Sequence, residues 1–124
     1  MKTEAAGINV EDYSGVVDGG GVKFDAGKLR YDLIPPELPQ EDARVYTVGA
    51  QKYADNNWMR GIKYSKLIAA AQRHMAAFLL GESRDPETGL YHLAQVRWNM
   101  GTLLYFELHP EVYQEFDDRV FANG

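Results

Sequence analysis

Cysteine is absent from this chain, which excludes a disulfide framework and any metal site built on thiolates, and suits a reducing compartment. Long apolar runs are absent too. No stretch approaches the roughly 18–20 consecutive apolar residues that a membrane span requires, and the N-terminal region holds no apolar segment of the kind a leader peptide carries. Positive charge is in deficit, with 13 Lys and Arg against 18 Asp and Glu for a net charge of -5. That balance argues against a general nucleic-acid coat, whose affinity comes from neutralising phosphates, and leaves room for local basic pockets. There is no GxxxxGK[ST], so no P-loop, and no His-Asp dipeptide of the kind that marks HD-type phosphohydrolases. A cytoplasmic location is the expectation.

What remains is an ordinary globular composition, 45% hydrophobic and 25% charged over 124 residues, enough for one core and not for two. Residues 1–21 are polar and rich in glycine and run into VVDGGGV. Three consecutive glycines lose too much backbone freedom on ordering to sit inside a regular element. Residues 1–21 are therefore expected to be a flexible arm, and 22–124 a single helical domain.

Over 23–39, KFDAGKLRYDLIPPELP, the alternation from Lys28 to Leu33 predicts a short extended strap, which Pro35, Pro36 and Pro39 bring to an end. A first helix is expected over about 39–53, with Glu41 and Asp42 at its positive end and Val45, Val48 and Lys52 or Tyr53 on one side. After the loop ADNNWMRGIKY, Ser65 reads as the cap of a second helix reaching about residue 80, with Leu67, Ile68, Ala71, Met75, Phe78 and Leu79 on its apolar face. Gly81 ends that helix. Asp85 then reads as a cap and Pro86 as the first residue of a third helix, which continues to about 107 before His109-Pro110 stops it. Leu90, Leu93, Ala94, Gly101 and Leu104 mark one side of this helix and Val96, Leu103 and Phe106 another, so it should be largely enclosed. The tail suits a short fourth helix using Val112, Phe116 and Val120. The expected fold is a small all-α bundle of three to four helices with an extended N-terminal strap, its core small enough to favour a homo-oligomer.

Into this apolar frame the sequence sets polar groups at regular spacing. On the third helix His92, Gln95 and Asn99 fall on one face. Buried polar groups left unpaired cost about 1–3 kcal/mol each, so this stripe needs partners or a ligand. His74 lies beside the core face of the second helix, next to Arg73. Glu82, Asp85 and Glu87 put three carboxylates within six positions, which repel one another unless a cation or several donors neutralise them. Oxygen ligands suit magnesium or manganese, and added imidazole moves the choice toward manganese, cobalt or zinc. Singly, each histidine reads more readily as a hydrogen-bonded core residue and Asp85-Pro86-Glu87-Thr88-Gly89 as a capped turn. Their coincidence on two successive helices is what raises a metal or ligand site. Lys23, Lys28, Arg30, Lys52 and Arg73 are solvated surface charges taken one by one; beside a carboxylate cluster they would hold phosphates.

Three blocks in succession, GKxRxxLxPP from Gly27, GAxKYxxxNW from Gly49 and RHxxxxxxGExxDxETGxxHL from Arg73, resemble the phage-associated dATP/dGTP diphosphohydrolases of the N-terminal domain type, over about 23–107. That family is grouped with the MazG-like all-α nucleotide pyrophosphohydrolases. The resemblance implies cleavage of a nucleoside triphosphate between its α and β phosphates, giving a monophosphate and pyrophosphate. Glu82, Asp85, His92 and His74 would hold a divalent metal, magnesium first and manganese or cobalt as alternatives. Glu87 is the expected base. Lys28, Arg30, Lys52 and Arg73 would hold phosphates, Tyr53 or Trp58 would stack on the base, and Asn57 and Asn99 complete the expected substrate contacts. Gln95 stands where the family pattern would carry a histidine. It favours the alternative, a non-catalytic nucleotide or signalling-nucleotide binding protein of viral origin.

Overall fold

The computed structural model describes residues 4–5, 8–9, 23–24 and 26–123, and the chain divides into two compact units, Met1–Pro35 and Pro36–Gly124. Most of the expected flexible arm lies outside the described residues. Within it, β1 (Glu4–Ala5) and β2 (Ile8–Asn9) pair antiparallel, Glu4 opposite Asn9 and Ala5 opposite Ile8. The expected extended strap instead closes into a 3-10 turn at Tyr31–Leu33, in which Leu33 N–H donates to the Arg30 carbonyl and Ile34 N–H to that of Tyr31. A local ion pair opposes extension there: Arg30 grips the Asp32 carboxylate through Nε and Nη2, both at 2.7 Å.

The second unit is all-α. Its long helices are α1 (Glu37–Lys52), α2 (Tyr64–Leu79) and α3 (His92–Leu108), followed by the short α4 (Pro110–Tyr113). α1 starts two residues earlier than the prolines suggest, because Pro36 flanks the helix and Pro39 falls in the first turn, where no intrahelical N–H bond is lost. α2 and α3 pack antiparallel: the Tyr64 ring at the start of α2 stacks on Phe106 near the end of α3, while His74 meets His92 at the other end. α1 lies against α3 and is tied to it by Arg97, whose Nε and Nη2 donate to the two Asp42 oxygens at 2.9 and 2.8 Å.

The core is aromatic. Tyr64, Leu67, Phe106 and Tyr113 are buried together, with Trp58, Ile62, Trp98, Tyr105 and Phe116 packed around them. The tail contributes Tyr113, whose hydroxyl donates to the Met59 carbonyl at 2.7 Å, and the half-buried Phe116; the expected Val112 and Val120 are exposed. The reason is the turn at Gln114–Phe116, which brings the aromatic side chains inward. On α2, Leu67 and Ala71 are buried as expected, but Leu79 is 76% exposed, because the helix ends beyond the reach of α3. Nor is α3 enclosed. It buries the polar stripe, His92, Asn99 and Thr102 with Ala94 and Phe106, and leaves Leu93, Met100, Leu104 and Leu108 exposed. Among the described residues no helix is long and apolar enough to cross a membrane.

Candidate metal and nucleotide site

The site begins where α2 stops. Gly81, at φ 98°, reverses the chain: its N–H donates to the Phe78 carbonyl and that of Glu82 to Ala77, both at 3.0 Å, which is a Schellman closure needing a left-handed residue. The segment expected to open the third helix at Pro86 forms a tight hairpin instead, and α3 starts at His92. Arg84 pairs with Tyr91. Across the hairpin Asp85 N–H donates to the Leu90 carbonyl at 2.8 Å, Gly89 N–H to Asp85 at 2.7 Å and His92 N–H to Ser83 at 2.9 Å. The backbone hydrogen bonds that a helical first turn would leave unmade are satisfied across this pairing, and Gly89 supplies the positive φ that closes it.

The hairpin carries Asp85 to the gap between His74 and His92. One ligand atom from each of these three residues lies within 4.8 Å of the other two. His92, 4% exposed, uses both ring nitrogens: Nε2 is 2.7 Å from Glu82 Oε1 and Nδ1 is 2.9 Å from His74 Nδ1. The His92 Nε2–H donates to the Glu82 carboxylate, and one proton lies between the two Nδ1 atoms; an ion bound there would take their lone pairs in place of that proton. Burial holds the His74 imidazole below its usual pKa, and the neighbouring His92 pushes it the same way. Burial would raise Asp85, but the Glu87 N–H and the Gln95 carboxamide, which donate to its two oxygens at 2.9 and 3.3 Å, outweigh that and keep it below the usual carboxylate range. Two imidazoles and a carboxylate are a donor set that can hold a divalent ion, and nitrogen donors suit manganese, cobalt or zinc better than magnesium.

Beside the cluster lies a cavity of about 600 Å³, walled by α1, by the turn that follows it and by Leu90 and Trp98. Gln95 joins the two: it lines the cavity and donates to Asp85. Tyr46, Trp58 and Trp98 form an aromatic wall in which Tyr46 stands edge-on to both tryptophans, with ring centroids 6.0 and 6.2 Å away.

Of the residues singled out in the sequence, His74, Asp85 and His92 come together, and Glu82 reaches the cluster only through His92. Glu87 lends its backbone N–H, while its side chain is exposed on the hairpin. Lys52, Tyr53, Asn57 and Trp58 line the cavity. Arg73 is exposed on α2, and Asn99 is buried with its amide donating to the Gln95 carbonyl at 2.8 Å inside α3. Lys28 and Arg30 belong to the first unit, where Arg30 holds Asp32. Sequence reasoning missed Tyr46 and Trp98 as wall residues. Their signal was faint: Trp98 sits one turn from Gln95, and both lie on faces that also read as packing.

A family described as dATP/dGTP diphosphohydrolase, N-terminal, matches residues 18–119. The chain belongs to that family. A dATP/dGTP diphosphohydrolase of Salmonella phage PMBT28 is 43% identical over 74 residues, which are 60% of this chain and 25% of that protein. The chain thus matches about a quarter of the length of its curated relative. No solved structure matches it.

Proposed function

We propose that the protein hydrolyses purine deoxynucleoside triphosphates to the monophosphate and pyrophosphate, with a divalent ion held by His74, Asp85 and His92. The observation that carries this reading is the shared Gln95, which puts a metal-type donor set next to an aromatic cavity of nucleoside size. The name borne by the phage relative supports the substrate class. When bound, the ion would neutralise triphosphate charge and activate a water. The chain's own residues divide the remaining work. Tyr46, Trp58 and Trp98 take the base, Lys52 at the cavity rim attracts phosphate, and Glu82 fixes the His92 ring so that Nδ1 faces the cluster. The nitrogen-rich donors favour manganese or cobalt over the magnesium expected from the carboxylates. The exposed row Leu93, Met100, Leu104 and Leu108 on α3 supports self-association, which light scattering reads directly. The relative's phage origin supports the host cytoplasm as the place of action.

One observation favours a second reading. Gln95 gives the cluster an amide rather than a third imidazole, as a protein that binds a nucleotide without cleaving it would allow. Incubation with each deoxy- and ribonucleoside triphosphate and manganese, cobalt or magnesium, followed by chromatography, separates the two. Purine monophosphate with pyrophosphate is the expected product. Nucleotide recovered intact from a protein that it stabilises would leave binding alone.

A further inference from the structure

The aromatic wall can hold a purine by its faces, but every base has a π-face, so stacking carries little information about which purine is bound. Discrimination falls to the polar groups at the rim of the cavity. Gln95, Thr88 and Lys52 are engaged, whereas Asp55, Asn56 and Asn57 make no side-chain hydrogen bond among the described residues. Of the last three, only the two carboxamides set a donor beside an acceptor, Asp55 being able only to accept. Gln95 donates to Asp85. The Thr88 hydroxyl accepts from Leu90 N–H at 3.2 Å. The Lys52 ammonium lies over the Tyr53 ring, 5.4 Å from its centroid. Asn56 is accounted for by its backbone, which at φ 58° and ψ 22° sits in the left-handed region that asparagine tolerates better than most residues.

Asn57 has no such account. It opens the 3-10 turn Asn57–Arg60 at an ordinary φ, makes no side-chain hydrogen bond among the described residues, and lines the cavity next to Trp58. Its carboxamide offers a donor and an acceptor side by side. The Watson–Crick edge of adenine presents a donor, the 6-amino group, beside the acceptor N1. Guanine presents the acceptor O6 beside the donor N1–H. A half-turn of the amide about its last side-chain bond matches either pattern.

We infer that Asn57 reads the edge of the base and, by turning over its amide, accepts adenine and guanine alike. This rests on the purine-nucleotide reading above. It makes Asn57 a specificity-determining residue.

The test is Asn57→Asp, nearly identical in shape but able only to accept. Guanine offers it two adjacent donors, N1–H and the 2-amino group; adenine offers one donor beside a repelling lone pair. The ratio of kcat/KM for dGTP over dATP should rise at least about tenfold, the usual worth of one bidentate base contact. If the wild-type chain binds without turnover, the same ratio is read from dissociation constants. Asn57→Ala should weaken both purines together and leave the ratio where it was. A wild-type protein that discriminates as Asn57→Asp does, or an Asn57→Asp ratio within twofold of wild type, overturns the assignment while leaving hydrolysis or binding intact. A wild-type protein that neither cleaves nor binds any purine nucleotide removes the underlying reading, and this assignment with it.

Discussion

His92 is held at both of its nitrogens, by Glu82 on one side and His74 on the other. The bond to Glu82 orients the ring so that Nδ1 faces the cluster, and in the proposed site Glu82 would act on an ion through the ring rather than by touching it. Outer-shell partners of this kind typically contribute 10–100-fold in metal affinity. Glu82→Gln is therefore expected to weaken manganese or cobalt binding by roughly that factor in calorimetric titration, with the helical content unchanged in circular dichroism. Loss of binding as complete as in His74→Ala would instead make Glu82 a ligand. The sequence made His74, Asp85 and His92 legible as a group because imidazole and carboxylate are recognisable by type. It could not separate ligand from supporter, since that distinction depends on which atom faces inward.

The three long helices were readable from apolar spacing, and Gly81 and the His109-Pro110 stop were readable from local chemistry. Their starts were not, for a common reason. α2 begins at Tyr64, and Ser65 inside its first turn is not the cap; the cap comes from Asp118, which accepts from Ser65 N–H at 2.9 Å and from its hydroxyl at 2.5 Å across 53 positions of chain. α3 begins six residues later than Pro86 because the hairpin pairs Arg84 with Tyr91. Both are partnerships that no window of sequence contains. The first has a consequence for pH. Hydrogen bonds from the Ser65 side chain and backbone hold the Asp118 carboxyl below its usual range. A carboxyl whose folded-state pKa is depressed contributes stability that is complete above its unfolded value, about 4, and is lost as pH falls through the folded value. Between about pH 5 and pH 2 the melting temperature of wild type should therefore fall more than that of Asp118→Asn. Parallel curves would show that this bond adds nothing to the fold.

Taken as a whole, the Pro36–Gly124 unit is an aromatic core closed by its tail. Gly61 marks the closure: it has φ 106°, and a Cβ there would run into the Phe116 ring. Gly61→Ala combines a strained backbone with overpacking and should destabilise the protein by about 2–4 kcal/mol in urea unfolding. A loss under about 0.5 kcal/mol would mean that the tail yields freely. The all-α class was legible from composition and period; the tail's anchorage was not, because Tyr113 and Phe116 turn inward only in the company of Trp58 and Phe106. The three donors, by contrast, span only the 18 positions from His74 to His92. Closing so short a loop is entropically cheaper than bringing the tail back over 53 positions to α2, so chain geometry sets an order of assembly. The α2–α3 hairpin is expected to form with its donor cluster in place, and the tail to dock afterwards. In pulsed hydrogen exchange during refolding, the His92 amide should gain protection before the Ser65 amide does; simultaneous protection would mean a single concerted step. A site built this way is a property of one helical hairpin, complete in its donors before the molecule around it has finished folding.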